Sequence, residues 1–274
     1  MSSGKAEHEM QRNIDKICEE ITNGQGWILL PNVFDEEEIA IAKQGITKKQ
    51  SEHDGAHEQN DDKHNNYSGL TWGLISKGSV FSEMATHPVI LSVSRQILGN
   101  RCRLSSFAAN TILPGMAGQL PHLDYPYYRH LWPANVECFN FPPSTLLSLQ
   151  IVTLLTDFNP ENGSTALVPG SQLNPQYPED KEKFFASATQ VEGQAGDVLM
   201  FAGSIQHCAM PNHSTLERAG ILQQMVPLFV TPFEDIRGDK KEPNVNIRSL
   251  LALDHPYPVA KEGILCKRRL TIYL

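Results

Sequence analysis

Basic charge and pairable cysteine are both scarce in this chain. Lys and Arg number 23 against 31 Asp and Glu, a formal net charge of −8. Binding a phosphate backbone needs a concentrated basic surface, so this balance argues against nucleic acid as a partner. It argues less strongly against a polyanionic substrate such as an acyl-coenzyme A. The basic clusters that do occur, Lys240-Lys241 and Lys267-Arg268-Arg269, are short and read as solvated faces. The five cysteines (Cys18, Cys102, Cys138, Cys208, Cys266) are odd in number, widely spread and never in a C-x-x-C pair. That is neither a disulfide framework nor a structural zinc site, and reduced thiols suit the cytosol. No apolar run approaches the roughly 20 residues needed to span a bilayer. The N-terminus is polar and charged, unlike a secretory signal, and the C-terminal TIYL is no peroxisomal address. The partner expected is therefore a small molecule, with neither nucleic acid nor membrane, in a cytoplasmic setting. Oligomeric state is not legible.

What is present reads as one domain over residues 1–274, with no internal repeat and no clear linker. Residues 6–22 have helix-forming composition, with Ile14, Ile17, Cys18 and Ile21 on one face. "GWILLPNVF" (26–34) reads as a short buried strand stopped by Pro31. The following "DEEEIAIAKQGI" is a helix start, with Asp35 placed to cap it. "HPVILSVSRQILG" (87–99) is an amphipathic helix closed by Gly99. From residue 101 the texture becomes a series of β-like runs punctuated by Pro and Gly, as in a sandwich or barrel. The expected class is mainly β with N-terminal helices. It comprises a mostly helical part over 1–100, a β core over 101–230 and a C-terminal extension over 231–274.

Between the N-terminal helices, residues 51–70 are polar and too poor in apolar side chains to pack by themselves. Their three histidines, His53, His57 and His64, read as solvated. Loops of this length are usually lids or disordered, so a mobile cover over an active site is one expectation and a surface insertion the other. The stretch runs into "GLTWGL", where Leu70, Trp72 and Leu74 alternate with smaller residues and could face an apolar ligand.

The chemistry begins at "GQLPHLDYPYYRHLWP" (118–133), which sets His122 two positions from Asp124 with aromatic residues close behind. A bare H-x-D triplet decides nothing. "GDVLMFAGSIQHCAMPNHSTLERAGILQQM" (196–225) supplies what it lacks: His207 just beyond a strand, and Arg218 eleven positions later on the next one. In an extended strand residues i and i+2 share a face. His122 and Asp124 can therefore reach one metal ion, with His207 as third ligand from a neighbouring strand. Two imidazoles and a carboxylate leave three octahedral positions open, the facial triad of non-haem Fe(II) oxygenases. The same ligands also suit a zinc hydrolase, or a non-catalytic jelly-roll protein that keeps a metal. Arg218 is suited to a bidentate clamp on a carboxylate; the alternative is a surface pair with Glu217. Cys208 reads as a buried bystander.

H-x-D followed by His and, eleven residues on, Arg resembles the phytanoyl-CoA hydroxylase-like branch of Fe(II)/2-oxoglutarate dioxygenases. "DFNPENGSTALVPGSQ" (157–172) is similar to that branch's turn and short strand ending in Pro-Gly-Ser, with Gln172 where the family usually has His. "MPNHS" after His207 also matches, with Asn212 and Ser214 in place. The likeness covers roughly residues 100–230. It implies a double-stranded β-helix (jelly roll, cupin-like), with Fe(II), 2-oxoglutarate and O2 as metal, co-substrate and oxidant. It further implies that Arg218 binds the 5-carboxylate of 2-oxoglutarate, with Gln119 and Thr153 as additional contacts. Asn110 would touch either 2-oxoglutarate or substrate. Asn162-Gly163 is most simply a turn with positive φ.

Tyr125, Tyr127, Tyr128 and Trp132 line a substrate pocket or sit in the core, and Trp72 is a further candidate. Arg129 and His130 could pair with a substrate carboxylate. Related halogenases have Gly or Ala where Asp124 stands, so hydroxylation is the default outcome; desaturation or ring closure would leave the same trace. The acidic balance turns the substrate expectation towards a free small molecule of specialised metabolism, with apolar or ring character.

Overall fold

The computed structural model describes residues 3–52, 69–124, 145–236, 242, 244–254, 260–261 and 264–265. Four helices precede the β core: α1 (Ser3–Thr22), α2 (Glu36–Glu52), α3 (Ser79–Ala85) and α4 (Pro88–Leu98). Their boundaries follow local chemistry. At α2, the Asp35 carboxylate accepts the Glu38 amide (2.9 Å) while the Glu38 carboxylate accepts the Asp35 amide (2.9 Å). This reciprocal pair satisfies donors that a helix start leaves open. α4 opens on Pro88, whose missing N–H costs nothing at the first helical position, and ends at Gly99, with φ 91°. No helix among the described residues is long and apolar enough to cross a membrane.

The strands are β1 (Trp27–Leu30), β2 (Gly69–Thr71), β3 (Arg103–Ile112), β4 (Leu149–Leu154), β5 (Thr165–Leu167), β6 (Thr189–Gln190), β7 (Val198–Ala202), β8 (His207–Ala209) and β9 (Arg218–Val226). They form a six-stranded sheet of order β1-β7-β4-β9-β3-β2 and a three-stranded sheet of order β6-β5-β8. Every pairing within the two is antiparallel. The chain passes from β4 in the large sheet to β5 and β6 in the small one, back to β7, across to β8, and back to β9. This repeated crossing between two antiparallel sheets is a jelly roll.

Register partners share a face of the large sheet, so alternate residues sort into two layers. Leu149, Ile151, Val198, Met200, Ile221 and Met225 join the core formed with the helices. Val152, Leu154, Leu199 and Phe201 join Phe158, Leu167 and Ile205 in a second cluster, with Leu222 against it. That second face looks towards the small sheet. Each fully buried aliphatic or aromatic side chain contributes about 1.5–3 kcal/mol, so two apolar layers of this kind hold the fold without help from an ion.

The N-terminal part is less separate from the β core than its composition suggests. β1 and β2 occupy the two edges of the large sheet. β2 escapes a pattern-based reading because it is only three residues long and carries no alternation of its own; pairing with β3 makes it a strand. The expected alternation of Leu70, Trp72 and Leu74 ends with it. Leu74 lies in a 3-10 turn over Leu74–Ser76 and is fully buried in the helix-side core, not on a ligand face. The C-terminal part also reaches that core, through Ile247 and Leu250 of α5 (Val245–Leu250). The lid expected over 51–70 falls almost wholly outside the described residues.

Candidate metal centre

His207 opens β8 in the small sheet, and His122 lies opposite it as an isolated antiparallel bridge. The His122 amide donates to the His207 carbonyl (2.9 Å) and the His207 amide to that of His122 (3.0 Å). Residues paired this way project to the same side, and the two imidazole centroids are 4.4 Å apart. The Asp124 amide donates to the Gly203 carbonyl (3.0 Å), continuing the approach beyond β7. His122 to Asp124 is thus not the regular strand that the i, i+2 argument assumes: only His122 is a bridge residue, and Asp124 sits in a bend. The convergence arises all the same, from separate backbone bonds to β8 and to Gly203.

Gly118 makes the approach possible. Its φ of +75° belongs to the left-handed region, and a Cβ there would stand 2.4 Å from the Ala209 carbonyl oxygen. The next residue, Gln119, donates its amide to that same oxygen (2.8 Å), and its side-chain Oε1 accepts the Ala209 amide (3.2 Å). The segment leading to His122 is thereby sewn along β8.

One ligand atom from each of His122, Asp124 and His207 lies within 4.8 Å of the others. The Asp124 carboxylate stands 3.5 Å from His122 Nε2 and 3.2 Å from His207 Nε2. Metal–ligand bonds of about 2.0–2.2 Å separate neighbouring octahedral donors by about 3 Å, so this spacing fits one ion. The imidazoles are also oriented for it. His122 Nδ1 donates to the Leu120 carbonyl (2.7 Å) and His207 Nδ1 to that of Ile205 (3.0 Å), which turns both Nε2 lone pairs towards Asp124. Burial opposes ionisation of Asp124, but the adjacent imidazoles outweigh it and hold the carboxyl well below its usual range. Burial likewise opposes a charge on His122, yet Asp124 brings its pKa above the ordinary value.

Arg218, first residue of β9, is 2% exposed and faces the space between the sheets. One terminal nitrogen donates to Thr165 Oγ1 (2.9 Å), and the guanidinium carbon lies 4.1 Å from the Phe158 ring centroid. Among the described residues its Nε has no hydrogen-bond partner and no carboxylate pairs with it. Burial alone pulls its pKa down to about 9, so it remains cationic at neutral pH. A buried cation without a counter-charge is costly, and a bound carboxylate would satisfy it. Asn212, fully buried, steadies the turn into β9 by donating to the carbonyls of Ile112 (3.0 Å) and Leu216 (2.8 Å). Gly163, with φ +83°, forms the expected turn at Asn162.

The other expected residues divide. Asn110 is register partner of Gly220, two positions from Arg218 on the same face, and its buried Oδ1 lacks a partner among the described residues. Thr153 corrects the reading: it pairs with Val198 and Ile221 and shares the helix-side face with Leu149 and Ile151, away from the triad. Sequence proximity to an apolar strand carries no information on side, which the register alone decides. Trp72 stands at the β2 edge with its ring 5.8 Å from that of Phe233. Tyr125, Tyr127, Tyr128, Arg129, His130 and Trp132 lie outside the described residues. Thr165 and Phe158, which hold Arg218, escaped the sequence reading, because their link to it runs between sheets.

Comparison with known proteins gives the family and the fold. The chain is 28% identical over 166 residues to the dioxygenase trt7 of Aspergillus terreus, covering 58% of this chain and 54% of that one. It is 28% identical over 156 residues to the Fe(II)/2-oxoglutarate-dependent dioxygenase nvfF of Aspergillus novofumigatus, covering 56% and 49%. The chain thus spans about half the length of the curated relatives it matches. The fold is shared with the epimerase SnoN, solved with Fe3+, alpha ketoglutarate and nogalamycin RO (TM-score 0.61, 15% identity, covering 85% of this chain and 94% of that one). It is shared also with HygX from Streptomyces hygroscopicus, solved with nickel and 2-oxoglutarate (TM-score 0.62, 17% identity, 80% and 92%). Residues 22–220 match the phytanoyl-CoA dioxygenase (PhyH) family, and the chain belongs to it.

Proposed function

We propose that this protein is an Fe(II)- and 2-oxoglutarate-dependent oxygenase that oxidises an unactivated C–H bond of a small molecule of specialised metabolism. The observation that carries this reading is the pairing of a one-sided His122–Asp124–His207 set with a buried Arg218 whose charge is uncompensated. A hydrolytic or purely structural metal site would explain the first and leave the second without purpose. Relatives named as dioxygenases, one of them as Fe(II)/2-oxoglutarate-dependent, support it.

When bound, iron and 2-oxoglutarate together supply the oxidising power, with release of succinate and carbon dioxide. The chain's own residues arrange the rest. His122, Asp124 and His207 would hold the ion through one ligand atom each, a three-residue set that suits iron able to take up co-substrate and dioxygen. Arg218, fixed by Thr165 and Phe158, receives the distal carboxylate in a water-poor interior where a forked, charged contact is strong. Gln119 commits its side-chain oxygen to Ala209, which leaves its amide group to donate to the co-substrate. Asn110 contributes from the same end as Arg218. Hydroxylation is the default outcome, since the Asp124 carboxylate would be available as a ligand.

The test is succinate formation from 2-oxoglutarate with iron(II), with zinc(II) and with no metal, followed by a substrate screen read by the same product. Iron-specific formation is expected. Equal activity with zinc, or binding of iron without any binding of 2-oxoglutarate, would overturn the reading.

A further inference from the structure

We propose that Gln150, with Ser148 beside it, positions the substrate by donating hydrogen bonds to a neutral oxygen of that molecule, an inference that rests on the oxygenase reading above. Gln150 is 7% exposed and Ser148 1% exposed, and among the described residues neither Gln150 Nε2 nor Ser148 Oγ has a hydrogen-bond partner. Register places Gln150 on the face that looks towards the small sheet. Gln150 pairs with Phe201 on one side and Gln224 on the other. Ser148 accepts the Gly203 amide at its carbonyl (3.0 Å), and its Oγ fills the space that a Cβ on Gly203 would take.

Each is one strand away from a metal ligand. The Phe201 ring lies 4.8 Å from that of His207, and the Gly203 carbonyl holds the Asp124 amide at 3.0 Å. The co-substrate anchor is elsewhere: Arg218 is six residues from Gln224 along β9, about 20 Å of extended backbone. The two ends of this sheet face therefore have separate tasks.

The chemistry of this end selects the ligand. Beside Gln150 the same face carries Phe201, Gln224 and Ser106, and the next row carries Leu199, Val152, Leu222 and Ala108. None of these is charged; Arg103, opposite Val226, is a cation one row further along the same face, and the Gln150 and Ser148 donors themselves call for a neutral oxygen acceptor. An unpaired buried carboxamide destabilises a fold, whereas one completed by a ligand gives specificity, because an analogue lacking the oxygen leaves the donor bare. The ligand is a largely apolar molecule bearing a carbonyl, lactone, hydroxyl or ether oxygen.

The experiment uses one- to three-ring neutral ketones and lactones, each beside its deoxygenated hydrocarbon and its carboxylic acid counterpart. Binding is measured by equilibrium dialysis on the zinc- and 2-oxoglutarate-loaded protein. Retention of the neutral oxygenated probes over both counterparts is expected. Gln150→Leu should weaken them about tenfold, the scale of a lost hydrogen bond, with hydrocarbon binding unchanged; Ser148→Ala should cause a smaller loss. Gln150→Leu should also raise the thermal midpoint of the unliganded protein, since it removes an unpaired buried group. Equal binding of ketone and hydrocarbon by the wild type, no binding of any neutral probe, or a lowered midpoint in Gln150→Leu would overturn the proposal. Titration of 2-oxoglutarate on the wild type separates the two readings: its failure removes the oxygenase assignment, and its success with no effect at Gln150 removes only this inference.

Discussion

The imidazoles of His122 and His207 stand 4.4 Å apart because their backbones exchange both hydrogen bonds of one antiparallel bridge. These two candidate ligands are therefore set by main-chain pairing, and the fold should not depend on their side chains. Asp124→Ala and His207→Ala should each abolish iron-dependent succinate formation while the folded chain persists. Metal content after dialysis, succinate assay and circular dichroism check this, and wild-type-like turnover in either variant would remove the triad assignment.

Gly118→Ala places a methyl group against the Ala209 carbonyl at a residue with φ +75°. The strained backbone should cost roughly 1–3 kcal/mol and shift the segment that delivers His122. Denaturant titration should show the loss, accompanied by weaker metal binding. Unchanged stability would mean that the segment from Gly118 to His122 adapts freely.

Arg218→Ala removes a charged, forked contact worth about 2–5 kcal/mol when its partner stays buried. The KM for 2-oxoglutarate should rise by tens-fold or more, and Arg218→Lys should recover only part of it. Unchanged co-substrate affinity would assign that carboxylate to another group.

Thr165→Val keeps the shape of the side chain and deletes the hydroxyl that accepts from Arg218 at 2.9 Å. Losing one hydrogen bond of about 1 kcal/mol should raise the co-substrate KM roughly fivefold. A change in kcat alone would show that Thr165 acts elsewhere.

Glu234 accepts the Gly73 amide (2.6 Å) and the Phe107 amide (2.8 Å), tying the C-terminal part to β3 and the turn after β2. Burial raises its pKa, against the opposing pull of those amides and Lys77. The native chain thus holds this proton more tightly than the unfolded one. Its contribution to stability is fully present below the unfolded value of about 4.3 and declines as pH rises through the raised native value. The stability difference between wild type and Glu234→Gln should shrink from acid towards neutral pH in denaturant titrations. Parallel pH profiles would contradict it.

Much of this was legible in residue order. The capped start of α2, the Gly99 stop, the β texture after residue 101 and the ligand spacing His122, Asp124, His207, Arg218 are all local or periodic signals. They survive folding because caps, turns and strand alternation depend on near neighbours. Thr153 and Leu74 show where such signals end: the first is implied by the family resemblance and the second by alternation with its neighbours, and pairing or a 3-10 turn assigned the side of each. Gln150 could not be distinguished from any polar residue in a strand until register placed it beside Phe201 with its donor unpaired. Amino-acid order determined which groups are available and how each segment bends. Only the stacking of two sheets decided which of those groups face one another, because that depends on contacts between residues far apart along the chain.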